Sequence, residues 1–123
     1  MNNDQLEALA ERVEGAPGLD VGLAIAALTG LRAALSEASS DLRAGVVEST
    51  DMAVQLVARR LPNWSIVLEG TAREPDGHWT CTLRPSGARD DEEVIGIGRA
   101  PTAPLALIAA LLRVVITQAK GYT

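Results

Sequence analysis

The segment from Ala103 to Ala119 constrains this chain more than any other. Leu105, Ile108, Leu112 and Val115 fall in one helical row, and Leu107, Leu111 and Val114 in another, so apolar side chains cover most of the circumference. A helix apolar on nearly all sides must be buried by more than one layer or by a partner subunit. The rest of the chain therefore has to supply cover for it. Thr102 is its natural cap, and Pro104 sits in the first turn, where no backbone donor is required. The longest apolar run, Ala103 to Ile116, is broken by Arg113 and falls short of the roughly 20 residues a membrane span needs.

Upstream, the spacing predicts three helices and three strands. The first helix runs from about Gln5 to Glu14, with Leu6, Leu9 and Val13 on one face, Asn2 as cap and Gln5 completing a capping box. Gly15 and the pair Pro17-Gly18 end it. A second helix begins at Leu19 or Asp20. A third follows Ser49 or Thr50, carries Ala53, Leu56, Val57 and Arg60 on one side, and stops at Pro62. Leu31 to Glu48, rich in Ser and Ala, reads as a loosely structured or partly helical insertion.

The first strand, about Trp64 to Glu69, puts Trp64, Ile66 and Leu68 on one face. The second, about His78 to Arg84, turns Trp79, Cys81 and Leu83 inward, and the third, about Glu92 to Gly98, has Ile95 and Ile97 on one face. Pro75-Asp76-Gly77 is a turn signal between the first two. The expectation is an α+β fold in the order α-α-α-β-β-β-α, with a short three-stranded antiparallel sheet packed between helices. At 123 residues the chain reads as a single domain spanning residues 1–123.

Aromatic residues are few, two Trp and one Tyr with no Phe, so Ala, Leu, Val and Ile must build the core. The net charge of -5 disfavours nonspecific attraction to polyphosphate. The single Cys81 excludes an internal disulfide and a cysteine-based zinc site. The opening Met1-Asn2-Asn3-Asp4 has none of the charge and apolar pattern of a secretory signal, which points to a bacterial cytoplasm.

No residue pattern names a reaction. His78, the only histidine, stands beside a turn on the face opposite the apolar one. A catalytic role requires an oriented partner. A pocket holding His78 and a carboxylate would favour a small enzyme. Cys81 alternates with core positions and reads as a small buried apolar residue. Asp90-Asp91-Glu92-Glu93 is a solvated acidic turn, because alternate strand residues face opposite ways and do not converge on an ion. Gly96-Ile97-Gly98 lacks the lysine of a phosphate loop and the third glycine of a dinucleotide fold. It reads instead as a strand that needs close backbone approach, followed by a tight turn. Trp64 and Trp79, at adjacent strand ends, read as core packing rather than a stacking platform. Arg59, Arg60, Arg84 and Arg99 are candidates for a small basic interaction edge. No cofactor and no metal is called for.

The block Leu6-Glu7-Ala8-Leu9-Ala10-Glu11-Arg12-Val13-Glu14 resembles the opening of the bacteriophage α-β-α sandwich domain family. Leu61-Pro62-Asn63-Trp64, Gly77-His78-Trp79, and Ala100-Pro101-Thr102-Ala103-Pro104 leading into Ala109-Ala110-Leu111-Leu112-Arg113 are similar to later parts of it. The family carries an adjacent Thr-Pro pair at its last helix, whereas here Ala103 separates Thr102 from Pro104. The resemblance implies a small phage or prophage protein with a short sheet between helices, and it brings no catalytic residue. The order helix, three strands, helix is also similar to a double-stranded RNA-binding domain. Such domains place lysines at the start of the last helix, and Thr102-Ala103-Pro104-Leu105-Ala106 has no base.

The expected function is therefore non-enzymatic. It is that of a phage or prophage accessory protein acting by protein-protein contact with itself, a host protein or a phage protein, interference with a host factor included. A homodimer through the apolar last helix is the expected self-contact. The alternative is a nucleic-acid-associated module, which a contiguous surface joining Arg59, Arg60, Arg84 and Arg99 would favour.

Overall fold

The computed structural model describes residues 2–16, 20–35, 44–70, 78–85 and 96–119. It contains helices α1 (Asn3–Gly15), α2 (Val21–Leu35), α3 (Thr50–Arg60) and α4 (Ala103–Ala119), with strands β1 (Trp64–Gly70), β2 (Trp79–Pro85) and β3 (Gly96–Ala100). A 3-10 turn, Ala44–Val47, precedes α3. The sheet is antiparallel throughout, in the order β1-β2-β3. The fold is α+β, and the elements come in the expected order.

Helix starts follow from side-chain caps. Asn2 and Gln5 form the reciprocal capping box of α1, each accepting the other's backbone N–H at 2.9 Å. Asp20 caps α2 by accepting the N–H of Leu23 at 2.7 Å, and Ser49 caps α3 through the N–H of Met52 at 3.3 Å. Thr102 does the same for α4 through Leu105. Helix α3 turns into β1 at Leu61-Pro62-Asn63-Trp64, where Trp64 N–H donates to Leu61 O at 3.2 Å. Pro62 fits the first inner position of that turn, and Asn63 adopts φ 68° at the second.

Helix α4 is the middle layer, with α1, α2, α3 and the 3-10 turn on one side and the sheet on the other. Every side chain from Ala103 to Leu112 is buried, as are Val114 and Ile116. The sheet offers α4 one face only, made by Cys81, Leu83, Gly96, Gly98 and Ala100 together with the half-buried Trp64, Ile66, Leu68 and Trp79. The outward positions Val67, Glu69, Ile97 and Arg99 are exposed. Among the described residues the sheet is thus an outer layer rather than one enclosed by helices.

The inner face of β3 consists of Gly96, Gly98 and Ala100 because the backbone of α4 lies directly on it. A Cβ at Gly96 would stand 2.5 Å from the carbonyl oxygen of Ala110. The face that holds Ile97 is therefore the solvent face; Ile95 lies outside the described residues. Of the segment read as an insertion, Leu31 to Leu35 continue α2, with Leu31 wholly buried, and Val46 and Val47 are buried in the 3-10 turn. Residues 36–43 lie outside the described residues.

Candidate functional site

With α4 packed on the inner face, the outer side of the sheet is the surface that carries side chains outward. Alternation places Ser65, Val67 and Glu69 of β1, Thr80, Thr82 and Arg84 of β2, and Ile97 and Arg99 of β3 on this side. Val67, Thr82 and Ile97 stand in one register row, and the two apolar members are 44% and 49% exposed. All three are β-branched and suit a pleated surface. Sequence reading does not single out Val67 or Ile97. The available signal was Ser65-Ile66-Val67-Leu68, in which apolar residues occupy both faces of one strand. A second exposed apolar pair, Val21 and Ile25, lies one turn apart on α2 at 77% and 61% exposure.

The two edges of the sheet differ. At β3, Glu14 from the end of α1 accepts the backbone N–H of Arg99 on Oε2 at 3.3 Å, while Oε1 accepts from Nη2 of Arg113 in α4. One carboxylate therefore ties α1, β3 and α4 together. At β1, no described element pairs beyond the strand, which bonds to β2 alone. Helix α4 lies along β3 and β2 and barely reaches β1. For that reason the apolar face of β1, Trp64, Ile66 and Leu68, is only half-buried along its length.

His78 is exposed and shares a shallow hollow of about 200 Å³ with Glu69, Gly70 and Thr80. A carboxylate therefore lines the same hollow as the histidine. The hollow is open to solvent on the outer side of the sheet, and among the described residues that line it Thr80 supplies the one hydroxyl. Cys81 faces the other way, fully buried, and its thiol is pushed from its ordinary 9.0 up to about 12 by burial. Such a thiol stays protonated and unreactive at neutral pH. Among the described residues no group of three or more His, Cys, Asp or Glu converges to hold a metal ion. The acidic run at 90–93 lies outside the described residues.

The tryptophans do not form a joint platform. Trp64 pairs with Pro85 and Trp79 with Gly70, so the antiparallel register puts them at opposite ends of the hairpin, about 20 Å apart. The expectation of adjacent strand ends is corrected by that register. Trp79 instead covers Gly70, where a Cβ would meet its ring at 2.5 Å.

The four arginines fall at two ends. Arg59 and Arg60 close α3, and Arg84 pairs with Ser65 next to the start of β1, so these three share one end. Arg99 pairs with Thr80, four residues from Arg84 along β2, which puts it about 14 Å from Arg84. Arg60 also lines a cleft of about 230 Å³ with Ala34, Leu61, Leu111, Val115 and Gln118, between the ends of α2, α3 and α4.

The last helix does not offer the association surface expected of it. Its apolar rows are consumed by the N-terminal helices on one side and the sheet on the other, leaving only Gln118 exposed among its described side chains. No described helix is long and apolar enough to cross a membrane. Searches against protein-family models, curated proteins and solved structures find no match for this chain.

Proposed function

We propose that this chain is a non-enzymatic protein that works by contact with another polypeptide through the outer side of its sheet and the adjoining edge of β1. The observation that supports the reading is the row Val67-Thr82-Ile97: two apolar side chains held out to solvent on a sheet whose opposite face packs on α4. A strand edge beside exposed apolar side chains supplies backbone hydrogen bonds for affinity and side-chain positions for specificity. The nucleic-acid alternative rests on topology and these arginines alone, and the net charge of -5 works against it. An accessory role in a phage or prophage, exercised in the bacterial cytoplasm, rests on the likeness of the sequence motifs alone.

Photocrosslinking tests the reading. A photoreactive residue at position 67 or 97 should yield adducts with another polypeptide in cells that carry the gene in its native setting. The same probe at Glu11, exposed on α1, is the control. Adducts no more frequent at 67 and 97 than at 11 would sink the proposal.

A further inference from the structure

The polypeptide that fits the β1 edge is a second copy of this chain. We infer that β1 pairs antiparallel with β1 of that copy about a two-fold axis at Val67, joining two three-stranded sheets into one of six. The inference rests on the contact reading above and names its partner.

Three observations carry it. First, β1 is an edge strand without the usual protection: it has no lysine and no proline, and its free side is uncovered among the described residues, whereas Glu14 occupies the edge of β3. Second, the inner face of β1 is unfinished. Trp64, Ile66 and Leu68 stay half-buried because α4 stops short of them. With the axis at Val67, Ile66 stands opposite the partner's Leu68 and Leu68 opposite the partner's Ile66. Each copy then covers the apolar side chains the other leaves open. Val67 meets the partner's Val67, and the β-branched row of Ile97, Thr82 and Val67 runs on unbroken across the axis.

Third, the charges are self-complementary. The same axis places Ser65 opposite the partner's Glu69. Arg84 pairs with Ser65, so Arg84, Ser65 and the partner's Glu69 form one row on one face of the joined sheet. Neighbouring strands are about 4.8 Å apart, which puts the Arg84 and partner Glu69 backbones about 10 Å apart, with only the short Ser65 side chain between them. An arginine and a glutamate reaching toward each other span that gap. Within one chain Arg84 and Glu69 stand four positions apart along the hairpin, about 14 Å. The two-fold symmetry makes the contact twice.

Sedimentation equilibrium over about 1 to 500 μM tests the pairing, with circular dichroism to show that each variant remains folded. The wild-type mass should rise with concentration from 12.9 kDa toward twice that value. Glu69→Arg alone and Arg84→Glu alone should each raise the dissociation constant about tenfold, since each turns two attractive contacts into repulsive ones. The double variant should return to within about threefold of wild type. That rescue cannot come from a contact inside one chain at this separation. Val67→Lys, which sets two like charges on the axis, should leave only monomer. A wild-type chain that remains monomeric throughout overturns the inference, as does a dimer indifferent to these substitutions. The crosslinking experiment keeps the two readings apart. Adducts from position 67 to other polypeptides with a monomeric chain would end self-pairing alone, while no adducts and no dimer would end both.

Discussion

Gly98 lies against the backbone of Ala110 with no room for a methyl group: a Cβ at Gly98 would stand 2.3 Å from the Ala110 amide nitrogen and 2.6 Å from the Ala106 carbonyl oxygen. Both obstacles are backbone, so no side chain can rotate away. Strand β3 and α4 approach this closely because Gly96 and Gly98 face Ala106, Ala109 and Ala110. Gly98→Ala should destabilise the fold by about 3 kcal/mol, the upper end of the overpacking range. Ile97→Ala, one residue away on the exposed face, should cost about 0.5 kcal/mol or less in the monomer. Urea denaturation of the two variants checks the contrast, and equal losses would refute this account of β3.

The middle position of α4 predicts large cavity costs. Ile108 and Leu111 are buried to 1% and 0% exposure, between the two layers. Truncation of either to Ala should cost about 2–5 kcal/mol. Val115→Ala, at a half-buried position, should cost clearly less. A flat profile along the helix would contradict the layering.

Glu14 holds three elements at one point, which makes it the most consequential polar residue described. Glu14→Gln keeps an acceptor for the Arg99 N–H but loses the charge opposite Arg113, whose side chain is 31% exposed. A loss of about 1 kcal/mol is expected, and Glu14→Ala should lose about 2 kcal/mol because the β3 amide is then left without its acceptor as well. Native-state hydrogen exchange at Arg99 is the direct readout: faster in Glu14→Ala, near normal in Glu14→Gln.

Burial of Cys81 sets a pH dependence. The folded-state value of about 12 lies above the ordinary 9.0. A group that titrates higher in the folded state contributes stability that is whole below its unfolded value and is lost as pH rises toward the folded one. The melting temperature should therefore fall between about pH 9 and 12 by more in the wild type than in Cys81→Ala, each measured against its own neutral-pH value. At pH 8 a thiol reagent should label the native chain far more slowly than the urea-unfolded chain.

The helices were legible because their signals are local. Asn2 with Gln5, Ser49 and Thr102 each act within three residues of a helix start, and the structure uses all of them. Strand β2 was legible through Trp79, Cys81 and Leu83, which alternate into the core. The orientation of β3 was harder to read, since its buried face is glycine and a hydrophobic pattern records side chains, not backbone approach. The tryptophan placement failed on register, which reverses the order of residues along a hairpin partner. Glu14 and Arg113 are 99 positions apart, and nothing at either position announces the other. The contact surface was least legible: Val67 and Ile97 become neighbours of one row only through two pairings that the fold creates.

That the middle layer is α4 also governs how the chain comes off the ribosome. Every other layer packs on a helix that is synthesised after it. The β1–β2 hairpin and the α1–α2 pair form from near neighbours, yet the core that joins them is incomplete until Ala103–Ala119 has emerged. Folding is then late and nearly all at once, because the layers join through contacts between distant positions, which slows it. Until that moment the nascent chain displays its apolar surfaces to the cell, and chaperones compete for them with the helix that is still to come.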